Sequence, residues 1–356
     1  MSGLRVLIIG GTGIISSAVV AEALRRGHDV HTLSRSGNTG ATGSDVTDAS
    51  GWQPGKQASV VTAHRADVRD GESVRRAIDG LRFNVIVQFV AFDVEHVRAD
   101  IEMFADRTDQ YIFISSASAY QTPPSRLPVT ESTPLRNPHW EYSRKKIACE
   151  DELVAAYREG GFPVTIVRPS HTYNPTMVPF DGGWTVVERM REGREVVVPG
   201  DGTSLWTITH HTDFARGFVG LFGRDEAIGE AFHITSDEAL TWNAIYEHIA
   251  RAAGVRPKLV HIASTAIAAA DPEWGAALLG DKANSMVFDN SKIKRVVPEF
   301  ICRVPFARGA DEIIAWHDAH PESRAVDPRV NAIMDALIDV YRPRSPLSSL
   351  ALPSSL

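Results

Sequence analysis

The sequence is poor in the features that mark several classes of protein. It has two cysteines, Cys149 and Cys302, which are far apart and lack metal-ligand spacing. They indicate a reducing compartment rather than a disulfide framework. No apolar run approaches the length of a membrane span, and the first, residues 6–9, is too short for the core of a signal peptide. A formal charge of −7 offers no bulk attraction to nucleic acid or anionic lipid. We expect a cytoplasmic protein that binds neither nucleic acid nor membrane.

The N-terminal half alternates short apolar runs with amphipathic stretches. Residues 4–10 read LRVLIIG, which is typical of a buried strand, and the helical pattern 16–27 follows after a glycine turn. The same rhythm continues as far as the strand-like run 163–170. It predicts an α/β fold with a doubly wound parallel sheet, because parallel strands need helical crossovers on the faces of the sheet. We predict a dinucleotide-binding domain over residues 1–176, to which the chain returns at about 203–235.

The alternation of strand and helix patterns becomes less regular in the C-terminal half of the chain. There we predict a smaller, mostly helical substrate-binding domain made of residues 177–202 and 236–330. Its clearest element is the amphipathic pattern 237–255, which we interpret as one helix with Leu240 among its apolar positions.

Two stretches have the composition of irregular chain. Residues 36–59 are rich in Gly, Ser and Thr and indicate a long loop, which is unusual in a compact domain. We interpret it as a flexible cover or an insertion. The tail 344–356 is low in complexity and is expected to be disordered.

A glycine turn follows the first predicted strand. In IIGGTGIISS, Gly10 and Gly13 precede a helix, and Ser16 takes the third position of the three-glycine fingerprint. Glycines there let the backbone turn and approach a pyrophosphate, while the helix N-terminus supplies free N–H groups. A plain structural turn is the alternative interpretation. The turn predicts a Rossmann dinucleotide site with Gly10, Thr12, Gly13, Ile14 and Ile15 in contact with the cofactor.

The second strand ends without the carboxylate that usually accepts hydrogen bonds from the adenosine ribose of NAD. Ser34 and Arg35 stand there instead, and a hydroxyl and a guanidinium suit the 2′-phosphate of NADP. We predict NADP as cofactor, with NAD as the alternative. Asp67 and Val68 end the third strand and are candidates to contact adenine. Asp67 has an equal alternative as N-cap of the next helix.

A tyrosine and a lysine lie one helical turn apart in HWEYSRKKIACED, as Tyr142 and Lys146. On its own this spacing also fits two ordinary residues on a helix face. However, QYIFISSASAY ends a strand with Ser115, Ser116 and Ser118. Ligands of open α/β sheets bind beyond the carboxyl ends of the strands, so these hydroxyls are expected to meet the Tyr142–Lys146 face.

These elements, in this order, resemble the extended short-chain dehydrogenase/reductase family, the NAD(P)-dependent sugar-nucleotide epimerase/dehydratase group. The resemblance spans about residues 4–320. It implies that Tyr142 is the general acid/base, that Lys146 lowers the pKa of Tyr142, and that Ser116 orients the substrate oxygen. The matching segments are the glycine turn, ISSASAY, YSRKK, VRPSHTYNP and TITHHTDFARGF.

The resemblance also implies residues around the nicotinamide and the substrate. Those expected on the cofactor are Phe89, Val90, Ala91, Ser115, Pro169, Ser170 and His171. Those expected on the substrate are Phe92, Asp93, Ser118 and Tyr173. Sequence spacing gives no metal site.

Departures from the family pattern reduce the number of reaction types that we expect. Ala117 and Ser118 follow Ser116, where sugar 4,6-dehydratases carry an Asp-Glu pair that eliminates water. This favours an epimerase or a simple reductase. Other departures, such as Gln88 in place of a common histidine, suggest an atypical branch related to plant chloroplast stem-loop-binding proteins.

Two hypotheses of function follow. The first is an NAD(P)-dependent oxidoreductase or epimerase that acts on a secondary hydroxyl or carbonyl of a sugar or nucleotide sugar. The second is a non-catalytic nucleotide-sensing or RNA-binding protein that keeps the Rossmann scaffold.

Arg189 and Arg191 have two interpretations: they either hold a diphosphate or belong to a solvated helix face. The family resemblance implies a homodimer as one option.

Overall fold

The computed structural model describes residues 3–37 and 61–342. The tail 344–356 and almost all of the predicted loop 36–59 lie outside the described residues. The elements of the first half are β1 (Arg5–Ile9), α1 (Ile14–Arg25), β2 (Asp29–Ser34), β3 (Thr62–Arg65), α2 (Gly71–Ala77), β4 (Phe83–Gln88), α3 (Val94–Phe104), β5 (Thr108–Ile114), α4 (Glu141–Gly160), β6 (Val164–Pro169) and β7 (His171–Tyr173).

The second half mixes short strands with helices and includes one π-helical turn, Leu278–Lys282. The elements are α5 (Trp184–Arg191), β8 (Glu195–Pro199), β9 (Leu205–Trp206), β10 (Ile208–His210), α6 (His211–Val219), β11 (Ala231–Ile234), β12 (Leu240–Thr241), α7 (Trp242–Ala252), β13 (Lys258–Ile262), α8 (Ser264–Ala270), α9 (Pro272–Ala277), α10 (Ser291–Val296), α11 (Phe306–Ala319) and α12 (Pro328–Tyr341).

Seven parallel strands form the main sheet, in the order β11–β6–β5–β4–β1–β2–β3. The direction of winding reverses between β1 and β4, so the carboxyl ends of these strands flank a crevice. The predicted α/β fold with a doubly wound parallel sheet is confirmed. Sequence rhythm was sufficient here because the helices α1, α2, α3 and α4 lie between successive strands of this sheet, as crossovers between parallel strands require.

The two faces of the sheet bury different side chains of the same strand. In β1, Val6 and Ile8 pack under α1 and α6, whereas Leu7 and Ile9 belong to the cluster under α2, α3 and α4. All four are fully buried. This explains why β1 is a continuous apolar run rather than an alternating one.

The C-terminal half adds a third apolar cluster, around the parallel pair β8 and β13. The chain returns to the main sheet with β11, which pairs with β6, and the domain boundaries themselves stay a prediction. One helix prediction was too long: α7 begins at Trp242, where Thr241 caps it. Leu240 lies instead in β12, opposite Trp206 of β9, because pairing with a distant strand outweighs local periodicity.

Helix α4 is fastened to the sheet by a buried ion pair. The Glu150 carboxylate accepts hydrogen bonds from Arg168 of β6 at 2.5, 3.0 and 3.1 Å and another from the Ser115 hydroxyl. Glu150 is 2% exposed and Arg168 is 5% exposed. Removal of either side chain would therefore leave the other as a buried ion that neither water nor a counter-charge stabilises.

We expect the substitution Arg168→Met to lower the free energy of unfolding by about 3–5 kcal/mol, because it leaves Glu150 buried without a counter-charge. Urea unfolding followed by circular dichroism measures the change. The double variant Arg168→Met with Glu150→Leu should recover most of the loss. A double variant as unstable as the single one would show that packing of the arginine, rather than charge, is what matters.

Candidate active site

The glycine turn leaves a space that a side chain would fill. Gly10 has φ +84°, and a Cβ atom on it would come within 2.5 Å of Val90 Cγ1. At the start of α1, the hydroxyl of Ser16 accepts a hydrogen bond from the Gly13 amide at 2.8 Å. Ser16 is buried, so the serine both fits the close packing of helix against sheet and holds the turn. This turn fits a pyrophosphate on the α1 N-terminus.

A cleft follows the carboxyl ends of the strands and has two connected parts. The inner cleft has a volume of about 450 Å³ and contains Ser116, Tyr142 and Lys146. The outer cleft has a volume of about 520 Å³ and contains Ser34, Arg35, Asp67 and Val68. The other predicted residues that line the inner cleft are Gly10, Thr12, Gly13, Ile15, Phe89, Val90, Phe92, Ser115, Pro169 and Ser170.

Six predicted site residues lie outside the lining of both parts. Tyr173 is 1% exposed and packs its ring against Phe306, with 5.4 Å between centroids. Asp93 precedes α3 and forms an ion pair with Lys145 at 2.8 Å. The remaining four have different positions. Ile14 is the first residue of α1, the Ala91 carbonyl accepts a hydrogen bond from Lys146, and the Ser118 hydroxyl lies 2.9 Å from that of Ser116. His171 Nε2 is buried and has no hydrogen-bond partner among the described residues.

Asp67 is not the N-cap of α2. Asp70 caps that helix and accepts from the amides of Glu72 and Ser73 at 3.1 Å. Asp67 accepts from the Arg69 amide at 3.0 Å and faces the outer cleft. Sequence analysis missed Arg69, which also lines the outer cleft and donates to the Val90 carbonyl. Its place in RADVRD, two residues beyond Asp67, was the available signal.

Lys146 is buried at 1% exposure. Its side chain contacts the backbone at the carboxyl ends of two strands, β4 and β5. Its ammonium donates to the carbonyl oxygens of Ala91 and Ile114, both at 2.8 Å. It also lies 4.7 Å from the centroid of the Phe92 ring. Burial lowers the pKa of Lys146 to about 8, because a charged amine loses hydration there.

Tyr142 lies one turn before Lys146, and the lysine nitrogen is 5.9 Å from the centroid of its ring. Burial raises the pKa of Tyr142 and the charge of Asp281 raises it further, whereas a hydrogen bond with Ser116 acts in the opposite direction. The side chains alone therefore do not provide the expected lowering of the Tyr142 pKa. A positively charged nicotinamide ring would supply an attraction of the required sign.

A chain of hydroxyls supports Ser116. Its oxygen lies 2.9 Å from the Ser118 hydroxyl and accepts from the Ser118 amide at 3.2 Å. Ser143, beside Tyr142 on α4, donates to the Ser118 hydroxyl at 2.7 Å. Ser118 is 3% exposed, so it positions Ser116 from behind.

The π-helical turn brings a carboxylate from the C-terminal half toward Tyr142. The Gly280 carbonyl accepts hydrogen bonds from Asn137 at 2.6 Å and Thr122 at 3.2 Å. A Cβ atom on Gly280 would come within 2.8 Å of the Trp140 Cβ, so the turn packs tightly before α4. The next residue, Asp281, is partly exposed, and the loss of hydration in its surroundings raises its pKa to about 7. No motif in the sequence pointed to it.

Comparison with known proteins agrees with this geometry. The NAD dependent epimerase/dehydratase family matches the chain over residues 6–110 and 101–235. The chain belongs to this family. The match confirms the resemblance drawn from the sequence and the prediction of an NAD(P)-dependent enzyme of the short-chain dehydrogenase type.

The relatives of this chain are named for several different activities. A 2′-dehydrokanamycin reductase of Streptomyces kanamyceticus is 25% identical over 303 residues, which cover 83% of this chain and 80% of that protein. The chloroplast stem-loop binding protein of 41 kDa b of Arabidopsis thaliana is 26% identical over 264 residues, covering 72% of this chain and 65% of that protein. The fold matches dTDP-glucose 4,6-dehydratase of Bacillus anthracis in complex with NAD, with a TM-score of 0.68, 19% identity and coverage of 90% and 98%.

Within residues 3–37 and 61–342, no helix is both long and apolar enough to cross a bilayer. Nor do three His, Cys, Asp or Glu side chains in those ranges come together as metal ligands. The roles of Tyr142, Lys146 and Ser116, and a homodimer, stay predictions.

We expect Asp281→Asn to stabilise the protein at pH 8 more than at pH 5. The folded pKa of Asp281, about 7, lies above its ordinary value of 3.8, so the neutral form favours folding and this contribution is lost as pH rises through about 7. Thermal unfolding of both proteins at both pH values measures the difference. Asp79→Asn, at an exposed position, is the control. Equal shifts of the midpoint at the two pH values would contradict the raised pKa of this carboxylate.

Proposed function

We propose that this protein is an NADP(H)-dependent reductase or epimerase that interconverts a secondary hydroxyl and a carbonyl on a sugar or nucleotide sugar. The observation that carries the proposal is the convergence of Ser116, Tyr142 and Lys146 on one cleft beside the glycine turn. Ser116, which follows β5, meets Tyr142 and Lys146 of α4 there. A protein that only held a nucleotide would have no use for the full set.

Each residue has a distinct task in the proposed reaction. Reduction adds a hydride to the carbonyl carbon and a proton to its oxygen, and the bound cofactor supplies the hydride. Tyr142 donates the proton through its hydroxyl, and Ser116 donates a hydrogen bond to the same substrate oxygen. Lys146 holds the helix against the strand ends and keeps a positive charge close to Tyr142.

The family offers three reaction types, and the residues after Ser116 favour two of them. The relative from Streptomyces kanamyceticus is named a reductase, and one from Mycolicibacterium smegmatis is named a UDP-glucose 4-epimerase. Ala117 and Ser118 are both buried and neither is an acid. They take the positions of the acid pair that the family resemblance assigns to dehydratases, so we do not propose elimination of water.

The hypothesis of an RNA-binding protein has one observation in its favour, the match to the chloroplast stem-loop binding protein. The net charge of −7 weighs against it, because phosphate backbones are bound mainly through Lys and Arg. The shape and lining of the inner cleft are also those of a small-molecule site. Catalysis is therefore the proposal that we retain.

We expect Tyr142→Phe to lower kcat by about 10²–10⁴-fold, because the proton donor is lost while the ring remains. Turnover is followed by the absorbance of the reduced nicotinamide with a sugar substrate. Affinity for the cofactor should be unchanged. The matched control is Tyr157→Phe, a tyrosine on the same helix that is 38% exposed. Full turnover by Tyr142→Phe would end the catalytic assignment.

The choice of NADP rests on the outer cleft, where Ser34 and Arg35 lie with Arg69 close by. We expect Arg35→Ala to weaken NADPH binding about tenfold or more, since a charge-assisted contact to the 2′-phosphate is lost. NADH binding should change little. Arg75→Ala, on α2 and paired with Glu102, is the control. Calorimetric titration gives both affinities, and tighter binding of NADH by the unaltered protein would refute the NADP assignment.

A further inference from the structure

We propose that Ser143 of α4 is a positioning residue, which acts through Ser118 to fix Ser116 as a hydrogen-bond donor that points into the inner cleft. This inference rests on the proposed function, because the substrate oxygen would be the acceptor of that bond. It adds to the proposed reaction a residue that does not line the cleft. The three hydroxyls come from two segments, the turn after β5 and the first turn of α4.

The hydroxyl of Ser143 is beyond the reach of water. Ser143 is 0% exposed, and its hydroxyl donates to the Ser118 oxygen at 2.7 Å. A serine inside a helix often donates to a carbonyl of the preceding turn, but here the bond goes to another segment. Because a serine hydroxyl has a single proton, this bond uses the whole donor capacity of Ser143. One acceptor position of the Ser118 oxygen is thereby filled.

The proton of Ser118 is directed to Ser116. The two hydroxyl oxygens are 2.9 Å apart, and Ser118 is 3% exposed, so its proton has Ser116 rather than water as acceptor. The opposite direction would give the Ser118 oxygen a second incoming bond and leave the buried Ser118 proton without a partner among the described residues. A buried hydroxyl without an acceptor is costly, so the direction from Ser118 to Ser116 is favoured.

Ser116 then has no acceptor capacity left. Its oxygen accepts from the Ser118 hydroxyl and also from the Ser118 amide at 3.2 Å. A hydroxyl oxygen has two lone pairs, and these two bonds use both of them. Ser116 is partly exposed and lines the inner cleft, so its own proton points there. In the empty site the acceptor is the Tyr142 oxygen, and this hydrogen bond acts against the burial that raises the pKa of Tyr142.

Asn137 fixes the positions of the two segments relative to each other. Its side-chain nitrogen donates to the Ser118 carbonyl at 2.9 Å, and its side-chain oxygen accepts from the Trp140 amide at 3.0 Å. Trp140 is the N-cap residue of α4, two positions before Tyr142. The separation of Ser118 from Ser143 is therefore set by backbone contacts. Loss of one hydroxyl should change the direction of hydrogen bonds more than it changes the positions of atoms.

The two arginines that the sequence suggested as ligands of a diphosphate serve the fold instead. Arg189 is 2% exposed and forms an ion pair with Asp335 at 2.8 Å. Arg191 forms an ion pair with Asp318 at 2.8 Å. These contacts support neither the diphosphate interpretation of the pair nor a solvated position for Arg189. We therefore assign donation to a substrate oxygen to the hydroxyls of the cleft rather than to these cations.

Neutron diffraction from crystals of the deuterated full-length protein tests the directions themselves, because it locates the deuterium atoms. The deuterium on Ser118 should lie toward Ser116, and the deuterium on Ser116 should lie toward the cleft. This experiment uses the unaltered protein and requires no substrate. A Ser116 deuterium that points at Ser118 would overturn the proposal.

A second test follows the ionisation of Tyr142 by fluorine NMR of the full-length protein labelled with fluorotyrosine. The Tyr142 signal is the one that is absent from Tyr142→Phe. In Ser143→Ala the Ser118 oxygen can accept from Ser116, so the Ser116 proton turns away from Tyr142. The acid dissociation constant of Tyr142 should then fall about two- to tenfold, which corresponds to one ordinary hydrogen bond. Ser291→Ala, at an exposed position, is the control and should titrate like the unaltered protein.

The double variant Ser143→Ala with Ser118→Ala separates hydrogen bonding from packing. It removes the hydroxyl that competes for the Ser116 proton, so the dissociation constant of Tyr142 should return to within about twofold of the unaltered value. A role in packing alone would make the double variant deviate further than the single one. That result, or an unchanged ionisation of Tyr142 in Ser143→Ala, would refute the positioning role.

The two proposals can fail separately. The diffraction and NMR experiments involve no turnover, so they test the directions of the serine hydrogen bonds alone. Full turnover by Tyr142→Phe would end the catalytic assignment and leave those directions as they are. Conversely, a Ser116 proton that points away from the cleft would overturn the role of Ser143 while Tyr142 could still be the proton donor.

Discussion

The buried ammonium of Lys146 is the constraint from which the geometry of the cleft follows. It joins the carbonyl oxygens of Ala91 and Ile114, which lie beyond or at the ends of two adjacent strands, β4 and β5. An ammonium group without water needs such acceptors, so α4 can occupy only a narrow range of positions over the sheet edge. Tyr142, one turn earlier on the same helix, is thereby held over the cleft, and Ser116 lies two residues beyond Ile114.

The next turn of α4 repeats this arrangement with the opposite charge. Glu150 is four residues after Lys146, and its carboxylate binds Arg168 and the Ser115 hydroxyl. Two buried charges on successive turns thus connect one helix to β5 and β6. Their desolvation is costly, so we attribute their value to fixing register rather than to net stability. The register that they fix is the one that brings Tyr142 to Ser116.

The sequence allowed prediction of features that depend on local order and of little that depends on contacts between distant segments. The sheet followed from strand and helix periods, and the glycine turn from a strand before it and a helix after it. Leu240 was misplaced because its partner strand is more than thirty residues away. Asp281 was missed because its position depends on how Gly280 packs against Trp140. The direction of the Tyr142 pKa depends on burial, which a sequence does not show.

The raised pKa of Tyr142 determines the protonation state in which the proposed reaction would begin. Burial and the Asp281 charge both keep the phenol protonated in the protein by itself. A protonated phenol is ready to donate in reduction, and a phenolate is needed in the reverse direction. A positive nicotinamide ring beside Tyr142 would favour the phenolate and so act against both effects. Under the proposed function, Tyr142 would then become more acidic only when the oxidised cofactor is bound, so that cofactor binding and proton transfer are coupled.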